Sequence, residues 1–182
     1  MSFIIKKYSH APTHWLIDDF YYFLTGAVYQ KKRYLTTTKT KEIFIKYLLQ
    51  YIKKYNWDLF DWVVLENHYH FLARVASGAD IPLLQNTLHK TSAFHIKKAL
   101  ALNVNPFWYQ YWDRCIRNEK HYFETATYIL YNPVKHRYVD NLNDYAFSSF
   151  HIRKEQEEEK LRDNFLTYKP QHVKYYDDID DF

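Results

Sequence analysis

His68 and His70 stand two residues apart in Val63-Val64-Leu65-Glu66-Asn67-His68-Tyr69-His70-Phe71-Leu72-Ala73-Arg74, a stretch otherwise apolar at most positions. Side chains alternate along a strand, so both imidazoles leave one face while Tyr69 leaves the other. Paired imidazoles on a buried strand are half of a metal site. Glu124, Tyr128 and Asn132 fall at i, i+4 and i+8, one line along a helix. If that helix lies beside the His strand, Tyr128, Asn132, His68 and His70 converge. One carboxamide oxygen and two imidazoles are three neutral ligands, with positions left for water and a substrate phosphate. A cation there polarises a phosphoryl oxygen, and Tyr128 can deliver its phenol oxygen to the phosphorus. A phenol leaves far more readily than an alkoxide, so a phosphotyrosine link keeps the bond energy for rejoining. That chemistry suits strand cutting and joining, and it suits hydrolysis poorly.

Each part also has an ordinary use. A His-x-His strand serves in structural zinc sites, any of 19 Tyr can be packing, and Asn before Pro commonly ends a helix. The surrounding elements must decide.

The sequence predicts a first strand over 20–29, with Gly26 marking a bulge or a close approach. A helix follows over about 40–55, where Ile43, Phe44, Tyr47, Leu48, Tyr51 and Ile52 keep helical spacing. No capping box is expected there, because Lys39 stands three before Glu42. The stretch 63–74 reads as one unbroken strand, which puts Glu66 on the face of the two histidines. There it either neighbours a metal or pairs with a nearby Lys. A second helix, about 81–101, has Asp80 as N-cap and Pro82 in its first turn. Residues 107–112 read as a strand. Asn118 caps a third helix over about 119–132 that Pro133 terminates, with Tyr122, Ala126, Ile129 and Leu130 as its buried stripe. Residues 1–19 read as irregular, Lys154 to Leu161 as a charged helix, and Asp177 to Asp181 as an acidic tail.

With 182 residues and 47% hydrophobic content, the chain has room for a core, and no apolar run approaches the roughly 20 residues of a membrane span. No signal peptide is read at the start, and the one cysteine, Cys115, suits a reducing cytoplasm. Residues 151–182 carry 6 Lys/Arg against 9 Asp/Glu, so the overall +4 conceals a body, residues 1–150, at +7. A basic body with 20% aromatics can hold a phosphate backbone and stack bases. Lys31, Lys32, Arg33, Lys90, Lys97, Lys98, Arg114 and Arg117 are the candidate contacts; a solvated basic surface is the alternative.

Asn67-His68-Tyr69-His70-Phe71-Leu72 resembles the HUH signature (His, hydrophobic, His) of single-tyrosine transposases. Tyr128-Ile129-Leu130-Tyr131-Asn132-Pro133-Val134-Lys135 resembles the tyrosine motif of their REP-associated group. Phe107-Trp108-Tyr109-Gln110, Asp113 to Glu119, and Tyr145-Ala146-Phe147-Ser148-Ser149 resemble its middle and closing blocks. The likeness spans about 15–150 with the motifs in order. It implies an α+β fold, an antiparallel sheet with helices packed on one face, of ferredoxin or RNA-recognition type. It implies His68, His70 and Asn132 as ligands of Mg or Mn, and Tyr128 as nucleophile. The implied activity is metal-dependent cutting and rejoining of single-stranded DNA at hairpins formed by short palindromes. Leu65-Glu66 stand where the group often has Met-Pro, and Phe147 replaces its usual Trp. A catalytic domain over 1–150 with a charged extension over 151–182 is expected, as monomer or homodimer. The alternatives are a hairpin-binding module without chemistry and a zinc-stabilised structural protein.

Overall fold

The computed structural model describes residues 4–6 and 14–170, with side chains from Leu16 onward. The strands are β1 (Ile4–Lys6), β2 (His14–Leu16), β3 (Phe20–Val28), β4 (Asp58–Val64), β5 (His68–Val75) and β6 (Trp108–Cys115). The longer helices are α1 (Thr38–Lys54), α2 (Asp80–Leu100), α3 (Glu119–Lys135) and α4 (Phe150–Tyr168). Strands β4-β5-β3-β6 form an antiparallel sheet in that order, and β1 pairs with β2. The fold is α+β, as expected.

Alternation along the two central strands sorts the core. Tyr22 and Leu24 of β3 join Tyr69, Phe71, Ala73 and Val75 of β5 against the apolar stripes of α1 and α2. Phe23 and Leu72 point the other way, into a second core with Ala126, Tyr128 and Ile129 of α3. Helices therefore cover both faces, where packing on one face was expected. The face that carries His68 and His70 belongs to α3.

Several boundaries differ from the sequence reading. The stretch 63–74 is two strands: the chain reverses at Leu65–Asn67, and β4 pairs antiparallel with β5 from Val64↔Tyr69 to Asp58↔Arg74. The apolar runs on either side hid the turn: both strands are buried, no Gly or Pro punctuates it, and only Glu66 and Asn67 mark it. Residues 4–6 and 14–16, read as irregular, pair as short strands. A capping box does open α1: Thr37 Oγ1 accepts from the Thr40 N–H, and Thr40 Oγ1 accepts from the Thr37 N–H. A hydroxyl takes the place of the usual carboxylate. Ala79, one residue earlier than expected, caps α2. Pro133 does not end α3, which runs on to Lys135. A proline this close to a C-terminus forfeits one backbone bond and leaves the last turn intact.

Gly26 stands opposite Tyr69 of β5, and the register of β3 with β6 shifts just beyond it. A Cβ there would lie 2.6 Å from the Tyr69 hydroxyl, so only hydrogen fits. Tyr145 to Ser149 runs along the exposed side of β4: the Tyr145 hydroxyl donates to the Val64 carbonyl at 2.7 Å, and the Val64 N–H donates to Phe147 O at 2.9 Å. The closing block thus covers a sheet edge. Among the described residues no helix is long and apolar enough to cross a membrane. The acidic run Asp177 to Asp181 lies outside the described residues.

Candidate active site

The two histidines project from the start of β5, their ring centres 5.0 Å apart, at 6% and 1% exposure. The Phe23 ring stacks on His70 at 5.3 Å. Thr25, paired directly with His70 across the sheet, donates its hydroxyl to the Tyr69 carbonyl at 2.9 Å. Asn67 fixes the other ring. Its Nδ2 donates to Lys31 O at 3.3 Å, which turns Oδ1 toward His68 Nδ1 at 2.7 Å. An amide oxygen only accepts, so Nδ1 holds the proton and the lone pair is on Nε2, the arrangement a ligating imidazole needs.

Tyr69, on the opposite face, anchors the strand from behind. Its hydroxyl donates to Gln85 Oε1 at 2.6 Å and lies 2.7 Å from His89 Nε2. The phenol has one proton, so His89 Nε2–H must be the donor in the second bond. Burial of that ring edge pushes the imidazole well below its ordinary pKa and keeps it neutral.

Asn118 starts α3 by accepting from the His121 N–H at 2.9 Å. Three turns on, the Tyr128 ring is 1% exposed and 5.8 Å from the His70 ring. Asn132, one turn further, is fully buried, and its Nδ2 donates to the Tyr128 carbonyl at 2.9 Å. Its Oδ1 is buried and has no hydrogen-bond partner among the described residues. Buried carboxamide oxygens are almost always satisfied, so this orphaned acceptor suits the role of a metal donor. Among the described residues no three His, Cys, Asp or Glu gather to hold a metal. Two imidazoles with one amide oxygen are a donor set that fits a hard divalent cation with water or phosphate in its remaining positions.

Glu66 lies in the turn between β4 and β5 rather than within an unbroken strand. It pairs with Arg33, whose guanidinium also lies 5.8 Å from the Tyr138 ring centre. Two residues beyond the tyrosine motif's Pro133 had no role assigned from sequence. Lys135 Nζ donates to the Tyr128 hydroxyl at 3.3 Å, and the His136 ring centre is 4.9 Å from that of His68. Both follow from helical spacing once α3 is carried through Pro133: Lys135 is i+7 from Tyr128, and His136 is i+4 from Asn132.

The basic candidates fall in three places. Lys31, Lys32 and Arg33 are exposed beside the β4–β5 turn that leads into His68. Arg114 sits opposite Phe23 on the site's face and lines a hollow with Arg117, Lys120, His121 and Glu124 at the start of α3. Lys90 and Lys97 line a hollow on the α2 side with Phe94 and Tyr109, and Lys98 is exposed nearby, on the sheet's opposite face.

Residues 17–132 match the family model described as "Transposase IS200 like". The chain belongs to this family. Within it, a REP-associated tyrosine transposase of Escherichia coli K12 is 34% identical over 93 residues, covering 50% of this chain and 52% of the relative. A Haemophilus influenzae relative is 31% identical over 98 residues, 48% of this chain and 56% of its own. The chain spans about half the length of these curated relatives. A solved REP-associated tyrosine transposase bound to a REP hairpin superposes with a TM-score of 0.64 at 25% identity, over 84% of this chain and 87% of that one. The family match ends at Asn132, so it takes in His68, His70 and Tyr128 together with the sheet that carries them.

Proposed function

We propose that this chain is a metal-dependent single-stranded DNA endonuclease and strand transferase that acts beside DNA hairpins. Tyr128 is the nucleophile, and His68, His70 and Asn132 are the ligands of a Mg or Mn ion. One observation carries the reading: the Tyr128 ring is 5.8 Å from His70 while the Asn132 amide oxygen, one turn along, is buried without a partner. The bound cation would supply Lewis-acid polarisation of a phosphoryl oxygen. Everything else falls to the chain. The sheet and α3 hold the phenol against the imidazole pair, so attack on phosphorus needs little reorganisation. Asn67 keeps His68 in one tautomer. Arg114, Arg117 and Lys120 stand at the start of α3, on the line that leads to Tyr128, where a phosphate backbone can be steered in. The hairpin-bound relative supports hairpin DNA as the partner.

Oligonucleotides carrying the imperfect palindromes that adjoin the gene, each with a single-stranded flank, test this with Mn²⁺ added. A covalent protein–DNA adduct that survives denaturation is expected, with its 5′-phosphate on Tyr128. Tyr128→Phe should abolish the adduct and change hairpin affinity by less than about threefold, since a single hydroxyl is removed. Hairpin binding with no adduct under any divalent cation would leave a hairpin-binding module. An adduct in the Phe variant would move the nucleophile elsewhere.

A further inference from the structure

We infer that Lys135 is a second catalytic residue, acting on the Tyr128 phenol oxygen both as it attacks and as it leaves; this rests on the reading of Tyr128 as nucleophile. Lys135 is the last residue of α3, two turns beyond Tyr128 and on the same side of the helix. A side chain on a helix leans toward the N-terminus, so a long one at i+7 reaches back over the turn that carries Tyr128. Its Nζ is 3.3 Å from the Tyr128 oxygen and 4.8 Å from the ring centre. A lysine in the last turn also complements the helix dipole, and that role asks only for proximity to the final carbonyls. It does not account for an ammonium turned back onto the phenol oxygen.

The geometry has a chemical consequence in each direction. In cleavage, Tyr128 Oη forms a bond to phosphorus, the P–O3′ bond breaks, the phenol proton passes to water, and the departing 3′-oxygen takes a proton from water. The ammonium of Lys135 donates to Oη and offsets the negative charge that builds there as the proton leaves. In rejoining, a 3′-hydroxyl attacks the phosphotyrosine, its proton passes to water, and the phenolate that departs is met by the same ammonium. Lys135 thus lowers both barriers while the DNA is held by other groups. Electrostatic stabilisation of a developing oxyanion by one fixed donor is a large effect in a dry site. Tyr128 is 1% exposed and Lys135 half-buried, so the phenol end of the pair is largely out of solvent.

Single-turnover rates test it, using the hairpin oligonucleotide that gives the adduct, with Mn²⁺ present. Adduct formation is followed first, then release on adding an oligonucleotide with a free 3′-hydroxyl. Lys135→Met should slow both steps at least tenfold, the size expected of one lost charge-assisted bond, with hairpin affinity within about threefold of the parent. Lys135→Arg, which keeps a charged donor, should recover most of both rates. Equal rates in parent and Met variant would overturn the inference. So would a loss confined to affinity, which marks a backbone phosphate contact, or slowing in Arg as deep as in Met, which marks a packing role. Absence of any adduct in the parent, or an adduct that persists in Tyr128→Phe, instead overturns the reading of Tyr128, and the inference falls with it.

Discussion

Tyr69 lies between His68 and His70 in sequence and faces away from them, yet it does most to hold them. Its backbone carbonyl is fixed by Thr25 and its hydroxyl by Gln85 and His89, so the strand has little freedom to shift. Removing the hydroxyl with Tyr69→Phe leaves two buried polar groups unsatisfied, which costs about 1–3 kcal/mol. Urea denaturation should register that loss. Because His89 is neutral in the fold with a depressed pKa, its contribution to stability is present above pH about 6.5 and is lost as pH falls. Asn132 shows the complementary case. Its amide nitrogen is satisfied by its own helix, and its oxygen has no partner among the described residues.

At the scale of elements, α4 is tied to the sheet by Asp61 of β4 and Arg153. The carboxylate is fully buried, Arg153 Nε approaches it at 3.4 Å, and Ser149 Oγ donates to it at 3.4 Å. Burial outweighs both partners and raises the carboxyl to about 6. A folded-state pKa above the ordinary 3.8 means the group's contribution is complete below that value and is lost as pH rises through about 6. Arg153→Met removes the counter-charge. Its cost should be small at pH 5, where the carboxyl is protonated, and about 3 kcal/mol at pH 8, where a lone buried carboxylate remains. Melting curves at the two pH values check the sign; equal losses would mean Arg153 acts through packing alone.

For the molecule as a whole, the two cores split the labour. The one under α1 and α2 stabilises the sheet, and the one under α3 builds the site. On the proposed reading the metal serves the chemistry and the fold does not depend on it. Chelator should therefore abolish the DNA adduct while shifting the melting temperature by less than about 2 °C, and Mn²⁺ should restore activity. A structural zinc would behave oppositely, with unfolding on chelation. The basic hollows lie on opposite faces of the sheet, and the one with Arg114, Arg117 and Lys120 is on the side of α3, the helix that carries Tyr128.

That His68, His70 and Tyr128 could meet was legible in residue types and spacing. His-x-His on a β-branched, apolar stretch and Tyr-x-x-x-Asn on a helix follow from strand and helix periods, which depend only on local geometry. Where the strand turned was not legible. Val63 to Leu72 is buried on both sides of Leu65–Asn67, and burial erases the alternation and the polar punctuation that mark a hairpin. Hence Glu66 was read into a strand where the fold has a turn, and Arg33 rather than a lysine is its ion-pair partner. Nor was the run of α3 through Pro133 legible, since a proline stops a lone helix more readily than one packed against a sheet. That packing put Lys135 on the phenol and α3 on the face opposite α1 and α2. Local periods name the groups that do chemistry; which groups meet is set by long-range burial, and only the folded chain expresses it.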